Sequence, residues 1–390
     1  MRVLGLMSGT SADGVDAVLA RFQGPPQHPR WHVLRSASLA YPPALHQRIV
    51  AVGQGEPHAA AALLELAEAI TEHHAAAARA CDPEGLASVV GCHGQTLWHR
   101  PPHTQANTTV KRGASWQMLQ APLLAQLLQR PVVHDFRAAD LALGGQGAPL
   151  VPMADAALLG ATAGWCALLN LGGLANLTLI PPSTGPDRQA PVLGWDCGPA
   201  NTLIDLAVEH FSEGQELFDR NGRRAAAGRI QDTMLLRWLQ EPYLQQPPPK
   251  STGREHFGRQ DLQRRLAELQ HHHPDLGPDD CIATLTALTA AVVAQDLNQL
   301  VDRGLPRPLE LVVAGGGSHN PVLMQELQHR CRGLRVRRSD ERGLPVDYRE
   351  ALVFALLAWW HQRRHCGNAP AVTGADKACV LGVLAEPPGS

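Results

Sequence analysis

A turn near the start of the chain concentrates small residues, hydroxyls and carboxylates. Glycines there let backbone N–H groups close around phosphate oxygens, and the hydroxyls of Thr10 and Ser11 add further donors. A carboxylate beside a phosphate is repelled unless Mg²⁺ lies between them, so Asp13 or Asp16 is a candidate metal contact. Turns of this composition also form for backbone reasons alone. The segment reads Gly9, Thr10, Ser11, Ala12, Asp13, Gly14, Val15 and Asp16.

A second glycine-rich turn, Gly315-Gly316-Gly317, follows the strand-like segment Leu311–Ala314. A buried strand that runs into glycines and then a helix lets a ligand approach the backbone, which suits the adenosine or phosphate portion of a nucleotide. Neither a Walker loop nor the dinucleotide fingerprint is present. A tight strand-to-helix turn without a ligand explains the segment equally well.

Asp196 lies between the strand-like Val192-Leu193 and a helix predicted from Thr202 to Phe211. A carboxylate at such a junction can be held rigidly where a substrate binds. It could instead cap the helix, but Asn201 is closer to the helix start and is the better candidate for the cap. This competition favours a functional role for Asp196.

Two other strand ends carry grouped donors and acceptors, which suit a polyhydroxylated substrate. The first holds His93, Gln95 and Thr96, and the second holds Arg137 and Asp140. The planar guanidinium of Arg137 matches a carboxylate. For His93, a hydrogen-bonded histidine of the core is an equally good interpretation.

The elements that must position these residues follow a pattern that occurs twice. Apolar segments at Arg2–Met7 and Val15–Arg21 flank the first turn as in a hairpin, and a similar arrangement recurs at Trp165–Ile180. Helical and strand-like segments alternate after each start, which indicates sheets with covering helices. We therefore predict an α/β chain of two similar lobes with a ligand-binding cleft between them.

Composition limits the possible classes of function. The 390 residues exceed what one hydrophobic core usually serves, and the net charge of −2 favours neither nucleic acid nor an anionic membrane. No apolar stretch reaches the roughly 18 to 20 residues of a membrane span, and Met1 leads into a strand-like segment instead of a signal peptide. A cytoplasmic protein is expected. The run His271–His273 is interpreted as a solvated loop, and no transition metal is predicted.

Taken in order, these segments resemble the anhydro-N-acetylmuramic acid kinase family. The resemblance covers nearly the whole chain, although Cys197 stands where the family usually has Thr. It rests on residues 5–11, 93–96, 135–137, 144–152, 170–178, 196–201, 249–255, 315–317, 350–351 and 372–375.

The resemblance implies the two-lobed fold of the actin-like kinases, which also includes sugar kinases and Hsp70, with ATP in a central cleft. The expected lobes are residues 1–140 with a returning segment 350–390, and residues 141–349. The implied reaction opens the 1,6-anhydro ring of anhydro-N-acetylmuramic acid with water and transfers the γ-phosphoryl group of ATP to O6. The products would be N-acetylmuramic acid 6-phosphate and ADP, in cell-wall recycling by a homodimer.

Residue roles follow from the same resemblance. Asp196 would be the general base that activates the attacking water, and Mg²⁺ would accompany ATP at Asp13 or Asp16. The nucleotide would contact residues 9–16 together with Gly172, Gly173, Asn176, Gly315, Gly316 and Gly317. The substrate would contact His93, Gln95, Thr96, Arg137, Asp140 and Glu350, with Arg137 the partner of the lactyl carboxylate.

Two alternatives stay open on the residues alone. Asp196 and a second carboxylate could hydrolyse a glycosidic bond without a nucleotide. The other alternative is an Hsp70-like binding module gated by a nucleotide. We expect no separate peptide-binding domain after Ser390, which counts against this alternative.

Overall fold

The chain folds into two units. The computed structural model describes residues 1–9, 11–104, 110–247, 250–252 and 256–389. One unit comprises Met1–Gly160 and Tyr348–Ser390, and the other comprises Ala161–Asp347. The sequence placed these divisions at 140/141 and 349/350. Helix Val151–Leu159 belongs to the first unit because its Asp155 pairs with Arg349, and both side chains are almost completely buried.

Strands and helices are numbered in chain order. Among the described residues the strands are β1 (Arg2–Ser8), β2 (Gly14–Gln23), β3 (Arg30–Ala40), β4 (Val89–Arg100), β5 (His103–Thr104), β6 (Val110–Lys111), β7 (Ala114–Met118), β8 (Val132–His134), β9 (Cys166–Leu171), β10 (Leu174–Ile180), β11 (Leu193–Pro199), β12 (Glu310–Ala314), β13 (Arg335–Arg338) and β14 (Val383–Ala385). The helices are α1 (Pro43–Gly53), α2 (Ala60–Cys81), α3 (Ala121–Leu128), α4 (Ala138–Ala142), α5 (Val151–Leu159), α6 (Asn201–Phe211), α7 (Arg223–Ala227), α8 (Asp232–Trp238), α9 (Pro242–Gln245), α10 (Arg259–His272), α11 (Pro278–Asp302), α12 (Pro321–Arg330), α13 (Arg349–Gln362) and α14 (Pro370–Thr373).

Both units build their main sheet with the same strand order. In the first unit β3, β2 and β1 form an antiparallel meander, and β4 and then β8 add in parallel beyond β1. In the second unit β11, β10 and β9 form the meander, and β12 and β13 add in parallel beyond β9. The predicted double start of an α/β architecture is therefore confirmed.

In the first unit, helix α13 lies directly on the sheet where two glycines face it. Gly5 of β1 and Gly91 of β4 are register partners, and a Cβ atom on either would overlap backbone atoms of α13. Their lack of a side chain lets the helix approach the strands closely. The other face of the sheet packs on α2, whose buried residues include Leu66 and Ile70.

In the second unit, the long helix α11 forms the centre of the core. It is long and apolar enough to span a membrane, but 89% of its most apolar window is buried inside the protein. It packs with Trp195, Leu203 and Val313 in one hydrophobic cluster. Its length therefore reflects a helix of the core.

The histidine run differs from its predicted state. His271 and His272 belong to the last turn of α10, and Arg237 donates to His272 at 2.6 Å. Leu262 and Leu269 are buried on one face of α10, so the packing of that face stabilises the helix up to His272. The loop predicted for these two residues is therefore wrong.

Candidate active site

Asp196 lies on β11 at a β-bulge. Asn176 of β10 is opposite Asp196, whereas Ala175 is opposite Gly198, so Cys197 is an extra residue in β11. Bulges of this kind turn a side chain away from its regular direction and are common beside active sites. Asp196 lies in the edge strand of its sheet, beside the largely buried strands β10 and β9.

Three donors hold the carboxylate of Asp196. Asn176 Nδ2 donates to Oδ1. The Ser251 hydroxyl and the Thr252 backbone N–H donate to Oδ2 at 2.8 and 3.0 Å. Hydrogen bonds of this kind favour the ionised carboxylate, which is the form that can accept a proton. Asp196 is 8% exposed, so its geometry is fixed while some access to it remains.

The cap predicted for helix α6 is wrong. The N-cap residue is Ala200, and Asn201 is the first helical residue. Carbonyl oxygens of the β9–β10 turn accept the helix-start N–H groups: Gly173 those of Ala200 and Thr202, and Gly172 that of Asn201. The Asn201 side chain instead donates to the Leu171 carbonyl at 3.1 Å. The backbone of the turn thus replaces a side-chain cap.

The two glycine turns of the second unit lie against each other. Gly315 follows β12 with φ +82°, and a Cβ atom there would come within 2.8 Å of the Leu171 carbonyl oxygen. A Cβ atom on Gly317 would come within 2.7 Å of the Leu171 side chain. The structure therefore brings Gly315–Gly317 and Gly172-Gly173 together, as expected if they share one ligand.

The first turn is tied to β4 through two buried polar residues. The Ser8 hydroxyl donates to Gln95 Oε1 at 2.6 Å, and Gln95 Nε2 donates to the Gly9 carbonyl at 3.0 Å. Ala12 is buried with φ +57°, while Asp13 is exposed. Gln95 therefore fixes the shape of the turn, and the predicted phosphate contact Thr10 lies outside the described residues.

His93 and Arg137 form a buried pair beside this turn. His93 Nδ1 donates to the Ser8 carbonyl at 3.1 Å, and Arg137 Nη2 donates to His93 Nε2 at 3.2 Å. Burial, together with the Arg137 charge, lowers the pKa of His93 to about 3. Arg137 also donates to the Gly147 carbonyl. His93 is therefore a neutral histidine that orients Arg137.

The other residues predicted to contact the substrate have different surroundings. Asp140 is fully buried, and its carboxylate accepts from Gly147 N–H, Asn368 and Thr373 at 2.7 to 2.8 Å. Asp140 therefore holds the loop around Gly147 in place. Its buried position does not indicate direct contact with a substrate. Thr96 accepts from Gln117 at 3.2 Å.

Glu350 occupies a more open position in the same unit. Its side chain is 39% exposed. Burial lowers the pKa of Arg137 to about 10, and the negative charge of Glu350 offsets part of this decrease. Arg137 therefore stays charged at neutral pH, with an acidic neighbour at the surface.

Sequence reasoning missed the roles of Ser251 and Thr252. Both lie in the segment 249–255 that carried part of the family resemblance, but nothing in their spacing connects them with Asp196. Pro249 and residues 253–255 of that segment lie outside the described residues. Two hydroxyl residues that follow a proline-rich segment, far in sequence from the other motifs, do not by themselves predict a functional role.

The part of the chain that the structure describes holds no group of three His, Cys, Asp or Glu side chains suited to a metal ion. Asp13 and Asp16 flank the first turn, and Asp13 is exposed. One or two carboxylates beside phosphate oxygens are the usual protein contribution to Mg²⁺ binding, since water and the nucleotide supply the other ligands. The donor set fits Mg²⁺ that arrives with ATP.

Two units of one strand order, each with a glycine turn at the ends of its strands, are the architecture that the resemblance to the actin-like kinases implies. The sequence model of the family described as "Anhydro-N-acetylmuramic acid kinase" matches residues 1–387. Proteins of that name from Synechococcus sp. (strain CC9902) and Prochlorococcus marinus (strain MIT 9303) are 68% and 65% identical to this chain over 387 residues. Each comparison covers 99% of this chain and 100% of the relative. The chain belongs to the anhydro-N-acetylmuramic acid kinase family.

Proposed function

We propose that this protein is an ATP-dependent kinase that opens the 1,6-anhydro ring of 1,6-anhydro-N-acetylmuramic acid and phosphorylates O6. The products are N-acetylmuramic acid 6-phosphate and ADP, and the pathway is the recycling of cell-wall peptidoglycan. Family membership over residues 1–387 supports the activity. The observation that carries the mechanism is the Asp196 carboxylate, held by three donors.

The chemical step couples hydrolysis with phosphoryl transfer. Asp196 takes a proton from water as the water oxygen bonds to the anomeric carbon, C1. The bond between C1 and O6 breaks, and O6 leaves with its electron pair. O6 then attacks the γ-phosphorus of ATP, the bond to the β-phosphate oxygen breaks, and ADP leaves. The proton on Asp196 passes to solvent after the reaction.

Residues of the first unit are proposed to bind the phosphates and the sugar acid. The turn of residues 9–16 would hold phosphate oxygens, with Mg²⁺ at Asp13 or Asp16, and that ion supplies neutralisation of phosphate charge. Arg137 would pair with the lactyl carboxylate, because it stays charged at neutral pH and is aimed by His93. Glu350 and Thr96 are the remaining proposed contacts of the sugar.

In the second unit, the glycine turns are proposed to contact the nucleotide. Gly172, Gly173 and Gly315–Gly317 lie together, and their lack of side chains leaves backbone open to a ligand. Asn176, first predicted to bind the nucleotide, is proposed instead to orient Asp196, since its amide donates to that carboxylate.

Two further properties are proposed from the family and the chemistry. A cytoplasmic location follows from the need for ATP, and a homodimer is expected from the resemblance. Light scattering after gel filtration measures the second, and a monomer at working concentration would contradict it.

Substitution of Asp196 by Asn tests the mechanism. We expect MgATP binding, measured by calorimetry, to persist while product formation falls by about two to four orders of magnitude, because the base is lost. Asp302→Asn is the control, since Asp302 is an exposed aspartate in the same unit. Near-normal turnover by Asp196→Asn would mean that another group is the base.

Product analysis in ¹⁸O-labelled water tests the coupling. We expect label at the anomeric hydroxyl and none in the transferred phosphate, because water attacks C1 and the phosphoryl oxygens come from ATP and O6. Turnover at the same rate without ATP would instead indicate a glycoside hydrolase.

A further inference from the structure

A second carboxylate, Asp296 of α11, lies behind Asp196. Trp195 Nε1 donates to Asp296 Oδ2 at 2.9 Å, and the Cys197 thiol also hydrogen-bonds this carboxylate. Burial raises the pKa of Asp296, and Lys250, Cys197 and Trp195 act against that rise. Trp195 and Cys197, the residues before and after Asp196 in β11, therefore both hydrogen-bond the buried Asp296 carboxylate.

Lys250 is the charged partner of Asp296. Its Nζ donates to Asp296 Oδ1 at 2.8 Å, and the two side chains are 1% and 0% exposed. Burying a lysine ammonium costs free energy unless the charge is paired. The ion pair therefore holds the Lys250 side chain against α11 at Asp296. The Lys250 carbonyl in turn accepts the Asp196 backbone N–H at 2.9 Å.

The segment that Lys250 begins supplies the donors of the base. The next two residues are Ser251 and Thr252, which give two of the three hydrogen bonds to the Asp196 carboxylate. The place of these donors therefore depends on where the Lys250 side chain is anchored.

Tyr243 completes the enclosure. Its ring lies 5.1 Å from Lys250 Nζ, within the range of a cation–π interaction, and its hydroxyl donates to the Asp196 carbonyl at 2.7 Å. Burial raises the pKa of Tyr243, so its hydroxyl stays protonated and remains a donor. The Asp196 backbone N–H is therefore held by Lys250 itself, and its C=O is held by Tyr243, whose ring packs against the Lys250 ammonium.

We propose that the buried ion pair between Lys250 and Asp296 positions the general base Asp196 and sets the direction of its carboxylate. This inference rests on the proposed function of Asp196. Lys250 and Asp296 are positioning residues, because they act through Ser251, Thr252 and the strand neighbours of Asp196. A buried ion pair adds little to stability compared with apolar packing, but it fixes one geometry, as a base beside a reacting water requires.

Lys250→Met tests the proposal. It keeps an unbranched side chain, one atom shorter than that of lysine, and removes the charge that anchors the segment. We expect kcat to fall about a hundredfold, since a misplacement of about 1 Å in a catalytic group costs that much, while KM for MgATP is unchanged. An unchanged kcat in folded Lys250→Met would overturn the proposal.

Arg265→Met is the matched control. Arg265 is also fully buried in the second unit, where it pairs with Asp261 and Glu241, but it does not contact Asp196. We expect Arg265→Met to lower the melting temperature as Lys250→Met does, with kcat per folded molecule as in the wild type. Equal losses of kcat in both variants would show a purely structural role and overturn the proposal.

A double variant separates this proposal from the proposed function. If Lys250 acts only through Asp196, then Lys250→Met causes no further loss of kcat in the Asp196→Asn background. A further loss there would overturn the positioning role. Near-normal turnover by Asp196→Asn alone would refute Asp196 as the base. An inactive Asp196→Asn with a fully active Lys250→Met would refute only the positioning role.

Three further variants cover a failure of Lys250→Met to fold. Lys250→Met combined with Asp296→Asn leaves no uncompensated buried charge, and the same loss of kcat is expected. Ser251→Ala removes one donor from Asp196, whereas Ser251→Thr keeps the hydroxyl. We expect a loss of kcat of about tenfold in the first and rescue in the second. Equal activity of these two variants would count against the proposal.

Discussion

His93 and Arg137 show how a residue's surroundings set its charge state. His93 is almost completely buried, with the Ser8 carbonyl at one ring nitrogen and the Arg137 guanidinium at the other. His74 is a further titratable neighbour that lowers the pKa of His93 slightly. The pair carries one positive charge, on Arg137, because a protonated His93 would lack an acceptor for its second N–H and would face a cation.

The buried neutral state of His93 predicts a pH dependence of stability. The pKa of His93 is about 3 in the folded protein, below the unfolded value of about 6.5. As the pH falls through this window the unfolded chain binds the proton first, so the free energy of unfolding decreases. We expect His93→Asn to show a shallower decrease between about pH 6.5 and about pH 4.5 in urea denaturation.

His28→Asn is the control for this prediction. His28 is an exposed histidine of the same unit, so its removal should leave the wild-type pH dependence in place. An equal slope in His93→Asn and the wild type would show that His93 does not contribute.

At the scale of the elements, the turn after β12 depends on the absence of a side chain. Gly315 has φ +82° and ψ 168° and faces the carbonyl of Leu171 closely, whereas Gly304 has φ +73° with no heavy atom within 4 Å of the position that a Cβ atom would take. Both glycines have a positive φ, and only Gly315 also has a close neighbour. They form a natural pair of test and control.

We expect Gly315→Ala to raise KM for MgATP about tenfold with a smaller effect on kcat, because the methyl group displaces the proposed nucleotide turn and leaves Asp196 in place. Gly304→Ala should cost only about 1 kcal/mol of stability for its left-handed conformation, with unchanged kinetics. Steady-state kinetics and denaturant unfolding of both variants measure this. An unchanged KM in folded Gly315→Ala would remove the turn from the nucleotide site.

At the scale of the whole molecule, each unit has its own sheet and its own hydrophobic core. Leu203, Trp195 and Val313 belong to the core of the second unit, and Leu6, Ile70 and Val90 to a core of the first. The second unit is inserted between α5 and α13, which follow each other in the first unit. Separate cores predict separate local stabilities.

We expect Leu203→Ala to destabilise the second unit by about 2–5 kcal/mol, because Leu203 is 1% exposed in its core. Hydrogen exchange measured by mass spectrometry should then speed up in peptides of residues 161–347, with wild-type rates in residues 1–160. Leu236→Ala is the control, since Leu236 is 66% exposed in the same unit. Equal acceleration in both units would show that the chain opens as one cooperative body.

Sequence alone was sufficient where the signal is local. Apolar alternation around glycine turns predicted both hairpin starts and therefore the α/β fold with a repeated plan, which the shared strand order confirms. The place of Asp196 before a helix favoured a functional role, the family resemblance implied that this role is the general base, and the assignment stays a prediction. The cap at Asn201 was wrong because the carbonyls of residues 172 and 173 satisfy the helix start, a contact that no helix signal encodes.

The sequence by itself determined which segments become strands, turns and helices, because those preferences arise from neighbouring residues and the period of their burial. Only the tertiary structure decided the partners of the buried charges. Lys250 meets Asp296 across 46 residues, and Asp140 meets Asn368 across 228. A charged side chain looks the same in the sequence whether it is solvated or buried, and burial depends on how distant elements pack. The support behind Asp196 was therefore visible only in the folded chain.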